Sequence, residues 1–535
     1  MSTAELPELI RELLEPAAYS HSVGEVELVQ THVSYVLLAG DFVYKVKKPV
    51  DFGFLDFTTL AKRRYYCRQE VVLNSRLCPG TYLGVVRIAR EGRHLRMEGL
   101  GKAVEYAVKM RRLPADRMMD RLLAAGRVSP PMVEAVAERL ADFHARAATS
   151  PAIARYGARA IRIAWEENFQ QWTAYIGDTI TLEQDGYLRA YVRSFFTRQR
   201  PLLERRAQEG RIRDCHGDVR SDSICFTDGL CIFDCIEFNR RFRYTDVAGD
   251  VGFLAMDLDF HGRLDLADVL VKRYAEVAAD PGILAVIDFY KCYRACVRGK
   301  VESFRLGQPE IAAEEKEQAR SLARRYFRLA CQYAARQPPP VLLITCGLVA
   351  SGKTALARAL GDAMGMPVIS SDVVRKELAG LSPQERRFEP FGRGIYGPRF
   401  TQRTYKALLE QAGAALADGR SLIVDATFGQ RRQRQKARAL AQALGARFLC
   451  LECRANEEVI RRRLEERLRA GRDASDARWQ TYEAQKLVFE PVTELGADEH
   501  LVVDCGRPLA ECLAATRRDL EKRLAPPAST GLRGA

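Results

Sequence analysis

Hydrophobic residues alternate with polar ones in three short runs near the start of the chain, EVELVQTH, SYVLLAG and FVYKVKK, between Glu25 and Lys48. A period of two marks half-buried strands, and the Ala-Gly-Asp turn between the last two runs makes them an antiparallel meander. From Leu60 to Leu77 the spacing becomes helical and carries Glu70 in RQEVVLNSRL. Strand-like YLGVVRIA and VEYAVKM follow, then helices including VEAVAERLADFHARA, and from about Leu264 to Ala335 the period is helical throughout. An antiparallel sheet with one helix, followed by a mainly helical lobe, is an α+β order of elements.

The pattern changes at RQPPPV, Arg336 to Val341, where three prolines stop the helix and form a stiff connection. Beyond it, apolar runs (VLLIT, MPVIS, SLIVDATF) alternate with helical ones, predicting an α/β domain whose parallel sheet is covered by helices on both faces. Ligands of such sheets sit at the carboxyl ends of the strands. The expected organisation is a first module over 1–335, a proline linker over 336–340, a second module over 341–525 and a flexible tail over 526–535.

One stretch implies a ligand by spacing alone. Gly347, Leu348, Val349, Ala350, Ser351, Gly352, Lys353 and Thr354 spell GLVASGKT, a complete G-x-x-x-x-G-K-T phosphate loop between a strand and a helix. Backbone N–H groups of a glycine-permitted turn and a helix N-terminus converge there on phosphate oxygens. Lys353 would reach the outer phosphates and Thr354 a magnesium ion, so ATP and Mg2+ are the expected cofactors. Asp372 and Asp425, at the ends of the next two strands, would emerge at the same edge, with Arg375 one helical turn beyond Asp372.

Length and composition bound the picture without deciding it. At 535 residues two or three domains are expected, and 47% apolar with 28% charged residues is ordinary for globular domains. With no apolar run of membrane-spanning length and an acidic N-terminus lacking a signal-peptide core, a cytoplasmic protein without a membrane partner is expected. The 14 cysteines are expected to be buried free thiols, since no two pairs share zinc spacing. The net charge of +14 admits nucleic acid, an anionic membrane surface or polyphosphate ligands. Most basic runs are interleaved with Glu and Gln and read as solvated helix faces; solvent is likewise the default for Arg294, Arg298 and Lys300.

In the first module, CHGDVRSDSICF is followed by LCIFDCIEFN and DVAGDVGFLAMDLD. Phosphoryl transfer needs an aligned hydroxyl, a metal bridging the phosphates and cations on the nonbridging oxygens. Asp218, in a loop before a short strand, is a suitable base or hydroxyl-orienting group, and Asp234 can hold magnesium. Lys45 would contact the inner phosphates and pair with Glu70; Lys47, on the same strand face, competes for that assignment. His144 reads as a packed, hydrogen-bonded residue, and Asp246 and Asp250 as helix caps.

These stretches resemble the aminoglycoside phosphotransferases, small-molecule relatives of the protein kinases, over most of residues 20 to 335. The resemblance implies a bilobal kinase-like fold, with His216-Gly217-Asp218 as catalytic loop and Asp234 as metal-binding aspartate. At the second metal-ligand position stands Ser223 rather than Asn; Asp222 and Asn239 are the residues able to compensate. The second module resembles P-loop kinases of small molecules and nucleic-acid ends, including the AAA-type, zeta-toxin and polynucleotide kinase groups. By that resemblance Asp372 orients or deprotonates the acceptor hydroxyl, Arg375 holds an anionic substrate group, Asp425 supports the magnesium shell, and Arg463, Arg467 and Arg472 belong to an arginine-bearing lid.

Two ATP-dependent kinase modules acting on small-molecule hydroxyls are the expected function. The competing readings are an ATP-hydrolysing regulatory switch with a silent first module, and a polynucleotide-end kinase, for which no aromatic-basic stacking platform is evident. The acceptor and the oligomeric state are left open by the sequence.

Overall fold

The computed structural model describes residues 6–227, 229–308, 311–382, 392–470 and 479–525. The chain packs as two compact units, one formed by Met1–Tyr175 with Leu202–Ala330, the other by Ile176–Pro201 with Cys331–Ala535. The segment Ile176–Pro201 thus belongs with the C-terminal unit, whereas the sequence suggests a simple division at the prolines.

In the first unit, β1 (Val26–Gln30), β2 (Ser34–Ala39), β3 (Phe42–Lys47), β4 (Tyr82–Glu91), β5 (His94–Met97) and β6 (Ala103–Arg111) form a sheet in the order β1-β2-β3-β6-β4-β5. Every pairing is antiparallel, as the meander predicts. Alternation sends Tyr44 and Val46 of β3 into a core with Leu37, Ile88 and the helix Glu8–Leu13. The opposite face carries Val43, with Lys45 and Lys47 in the same register, toward the helix Leu60–Asn74. Thr59 caps that helix, its hydroxyl accepting the Lys62 N–H.

The rest of the unit is mainly helical, with two two-stranded ribbons: β7 (Ile212–Asp214) pairs with β10 (Tyr244–Asp246), and β8 (Ile224–Phe226) with β9 (Leu230–Ile232). The helix Ala248–Phe260 is buried from Ala248 to Asp259, packed by Leu264–Val277 and Ile283–Arg305. Cys78, beyond the helix Leu60–Asn74, and Cys231, in β9, are disulfide-bonded, while the other described cysteines are free and buried. The expectation of free thiols fails at this pair because residues 153 positions apart share no local pattern.

In the second unit, β11 (Val341–Cys346), β12 (Val368–Ser370), β13 (Leu422–Asp425), β14 (Arg447–Arg454) and β15 (His500–Asp504) form a fully parallel sheet in the order β12-β13-β11-β14-β15. Separate apolar cores cover its two faces, one around Leu342, Ile344 and Leu408, the other around Leu343, Leu356 and Leu520. Strands buried on both faces explain the uninterrupted apolar runs. The helix Leu182–Arg198 packs on this unit: Gly445, at φ +66°, lies so close that an added Cβ would sit 2.2 Å from the Ser194 nitrogen. Among the described residues no helix is long and apolar enough to cross a membrane.

Candidate functional site

The second unit assembles its site at the carboxyl ends of β11, β12 and β13. Gly347 and Gly352 hold φ of +134° and +102°, and Ala350 sits between them at +59°, so the backbone makes a tight left-handed turn before the helix Lys353–Met364 begins. Side chains are excluded at both glycines: a Cβ would lie 2.5 Å from the Cys453 carbonyl oxygen at Gly347 and 3.0 Å from the Cys505 Cβ at Gly352. The three apolar loop residues face other helices, Leu348, Val349 and Ala350 packing with Ile460, Leu464 and Tyr482. Lys353 is buried, donates 2.7 Å to the Leu348 carbonyl, and burial depresses its pKa.

Thr354 donates 2.7 Å to Asp425 Oδ2, and Thr345 donates 3.0 Å to Oδ1 of the same carboxylate. Asp425 is therefore held by two hydroxyls rather than serving as a helix cap. Burial raises the Asp372 pKa, against the opposing pull of Arg375. A cavity of about 560 Å³ is lined by Lys353, Thr354, Asp372, Arg375 and Asp425 among others.

Two of the expected site residues are engaged with the protein itself in this structure. Arg375 lines the cavity, but its Nη1 donates to the Ile395 carbonyl (2.6 Å) and to Thr401 Oγ1 (3.2 Å), and its guanidinium lies 5.0 Å from the Tyr396 ring centre. It anchors the turn Gly394–Tyr396, and its buried Nε has no hydrogen-bond partner. Arg463 does not line this cavity: it donates to the Cys505 carbonyl (2.7 Å) and the Ala350 carbonyl (3.4 Å) and borders a separate cavity of about 330 Å³ with Gly352, Cys505 and Arg507. A helix turns about 100° per residue, so a run of arginines does not declare which one faces a ligand. The Arg467 side chain and Arg472 lie outside the described residues.

Sequence reasoning missed Gln485, on the helix Trp479–Val488, whose Oε1 accepts the Val349 N–H at 3.0 Å and which lines the larger cavity. No signal marks it, since a glutamine on an amphipathic helix is unremarkable.

In the first unit, five charged side chains meet on the inner face of β3. Lys45 Nζ lies 2.6 Å from Asp234 Oδ1 and 2.9 Å from Glu70 Oε1. Lys47 Nζ lies 2.7 Å from Glu70 Oε2 and also pairs with Glu237. The two lysines therefore share Glu70, and only Lys45 reaches Asp234. Asp234 adopts a left-handed φ of +64°, rare for a residue with a side chain. Lys45 above all lowers its pKa to about 2.

Asp218 accepts a hydrogen bond from Arg220 Nε (3.3 Å), while Arg220 Nη1 lies 2.7 Å from Asp222. Asp250 is no helix cap: its carboxylate accepts the backbone N–H groups of His216 (2.7 Å) and Gly217 (2.8 Å) and meets His144 Nε2 at 3.2 Å. Burial opposes its charge, and the bonds from His144 and His216 hold its pKa well below the carboxylate range regardless. Asp246 does accept the Ala248 N–H, and it also pairs with buried Arg206.

The residues expected to complete a second metal position are engaged elsewhere. Ser223 Oγ accepts the Arg220 N–H and donates to the Arg220 carbonyl within its own turn. Asp222 pairs with Arg220, and Asn239 caps the short helix Arg240–Arg243 while its amide donates to the Phe54 carbonyl. The solvent default fails too: Arg294 is buried and donates to the Gly249 carbonyl, Arg298 pairs with Glu302, and Lys300 donates to Asn168 and Gln171. Glu237 and Arg220 carried no signal beyond being charged.

Residues 342–492 match a protein-family model described as an AAA domain. An uncharacterized protein of Mycobacterium tuberculosis is 32% identical over 454 residues, covering 84% of this chain and 88% of its own length. Among solved structures, a sugar kinase from Janibacter sp. is 21% identical, covering 35% of this chain and 99% of that one, with a TM-score of 0.27. The Mycobacterium tuberculosis APS kinase CysC, solved with AMPPNP and APS, is 20% identical over 34% of this chain and 99% of that one, with a TM-score of 0.25.

Proposed function

Because the chain belongs to the family of that uncharacterized mycobacterial protein and carries a P-loop domain in its second unit, we propose that it is an ATP-dependent phosphotransferase acting on hydroxyl groups of small molecules. The observation that carries this reading is that Lys353, the Thr354–Asp425 pair and Asp372 line one cavity. The donor set fits a magnesium nucleotide. The buried Ser351 hydroxyl lacks a hydrogen-bond partner, the two glycines leave no room for side chains, and a threonine hydroxyl beside a carboxylate offers the oxygen ligands a hard cation takes.

When bound, the magnesium nucleotide supplies the transferable phosphoryl group and the metal charge that stabilises it. The remaining work falls to the chain. The 347–354 backbone and Lys353 hold the phosphates, and Thr354 with Asp425 holds the metal. Asp372 receives the acceptor proton; a carboxyl with a raised pKa is a better base near neutrality than an ordinary one. Arg375 fixes the segment around Tyr396 and Thr401 that borders the acceptor space.

The first unit is read as an aminoglycoside-phosphotransferase-like kinase module. Lys45 would hold nucleotide phosphates, Glu70 would hold Lys45, Asp234 would take magnesium, and Asp218 would orient the acceptor hydroxyl. What supports this is the meeting of Lys45, Glu70 and Asp234 from three distant segments. One observation favours a silent first unit instead: Ser223, Asp222 and Asn239 are all spent on local bonds.

ATP turnover with magnesium against a pooled metabolite extract, with products read by mass, separates the readings. Lys353→Ala and Asp218→Ala should each remove a different phosphorylated product. Loss of every product in Lys353→Ala with none lost in Asp218→Ala would leave the first unit a binding or regulatory module.

A further inference from the structure

Two helices of the first unit, Pro151–Trp172 and Ile283–Arg305, meet along a mainly aromatic seam that also carries polar groups. Trp165, Asn168 and Gln171 recur every three residues and so share a face of the first helix; Tyr293 and Lys300, seven apart, share a face of the second. The Trp165 and Tyr293 rings meet at 5.4 Å between centroids, and Lys300 Nζ donates to Asn168 Oδ1 and Gln171 Oε1, both at 2.7 Å.

The seam has more donors than acceptors. Asn168 is 2% exposed and Trp165 fully buried, yet Asn168 Nδ2 and Trp165 Nε1 have no hydrogen-bond partner. Among the described residues Lys300 forms no ion pair: its two hydrogen-bond acceptors are neutral amides, and its Nζ stands 5.8 Å from the centre of the Phe304 ring. Arg241 gives Nη1 to Glu167 at 2.6 Å and leaves a buried Nε unpartnered. Glu167 and Arg241 lie close enough for their charges to act on Lys300, whose pKa burial lowers to about 8. Buried donors without partners are costly, and a cluster of them around a lysine lacking a counter-ion is what remains when an anion is taken away.

One member of the cluster, Arg241, is a chain neighbour of a residue that packs against the expected catalytic loop. Arg241 precedes Phe242, whose carbonyl stands 3.0 Å from where a Cβ on Gly217 would be, and Gly217 precedes Asp218. We propose that this seam is the acceptor-anchoring site of the first unit and takes an anionic group, a carboxylate or a phosphate, on Lys300, Asn168 and Arg241. The assignment to an acceptor rests on reading the unit as a phosphotransferase; the anion site itself does not. Polycationic amino sugars, the substrates that name the resembling family, would meet like charge here.

The test is acetylation of Lys300 in the full-length protein at pH 8, where a good part of the amine is neutral, followed by peptide mass spectrometry. The probes are inorganic phosphate, glycerate and, as the uncharged control, glycerol. Saturable protection by phosphate or glycerate is expected, about tenfold at ten times the dissociation constant. Glycerol should give none, and Arg241→Gln should weaken the protection. Which anion protects at lower concentration tells a phosphate site from a carboxylate site. Equal reactivity of Lys300 with and without both anions, or equal protection by glycerol, would overturn the proposal. Protection that stands while Asp218→Ala loses no product would sink the kinase reading of the unit and leave the anion site.

Discussion

On the proposed reading, the two units gather charge for phosphate chemistry in opposite ways. In the second, eight consecutive residues do most of the work, and much of it is done by backbone held at positive φ at Gly347, Ala350 and Gly352. In the first, the work falls to side chains from three separate places: Lys45 and Lys47 on β3, Glu70 on a helix, and Asp234 and Glu237 on a loop some 190 positions beyond the strand. A backbone site is fixed by local sequence and tolerates few substitutions. A side-chain site depends on the packing of the whole unit, so its failures should show in stability as well as in rate.

The sharpest way to break this comparison is through the second unit's acceptor side. Asp372→Asn keeps the shape and removes the proposed base, so the second unit's product should form about 10² to 10⁴ times more slowly. Thermal unfolding and the first unit's product should be unchanged. Initial rates of both products, measured side by side, check this; a matching fall in both would show that the units do not work separately.

Next in size is Glu70→Gln. It leaves Lys45 with Asp234 and Lys47 with Glu237 but takes away the carboxylate the lysines share, in a place where Glu70 is 1% exposed. Removing one member of a buried ion cluster costs about 3 to 5 kcal/mol. Urea unfolding of the variant should show the first unit's transition at lower concentration and the second unit's in place. If stability is untouched, the five charges are a catalytic array only, and the contrast drawn above is wrong.

The same contrast explains what the sequence made legible. The phosphate loop, the parallel sheet and the meander all follow from patterns within about ten residues, and Lys45 and Lys47 were placed on one face by the strand period alone. Their division of labour was not legible, because it is decided by Glu237 and Asp234 arriving from another part of the chain. The face of Arg463, the anchoring role of Arg375 and the inward turn of Lys300 were missed for the same reason. A helix pattern gives a side but not the neighbour against that side. The Cys78–Cys231 bond and the place of 176–201 within the second unit are contacts of chain segments far apart in sequence.

That last point can be sharpened by Gly445→Ala. The φ of +66° and a Cβ meeting the Ser194 nitrogen at 2.2 Å leave no room for a methyl group, so the helix Leu182–Arg198 would have to shift. A loss of about 2 kcal/mol is expected, from the left-handed backbone and the clash together. It should fall on the second unit's unfolding transition. Were it to fall on the first unit's transition, the helix Leu182–Arg198 would be energetically part of that unit.

The smallest effect probes a place where the second unit also relies on side-chain charge. Burial raises the Asp372 pKa, and Arg375 pulls it back down. The base acts as carboxylate, so turnover of the second unit's product should rise with pH through that value. In Arg375→Met that cation is gone and only the weaker pulls of Lys353 and Lys376 still oppose burial; the pKa moves further up, and the acid limb of the kcat profile should shift to higher pH by about one unit. Because Arg375 also anchors the turn Gly394–Tyr396, KM for the acceptor should change too, but a loosened turn has no reason to move a titration. A higher KM with the acid limb in its original place would make Arg375 a purely structural anchor. An acid limb that moves to lower pH would mean that Asp372 is not the group whose ionisation the profile reports.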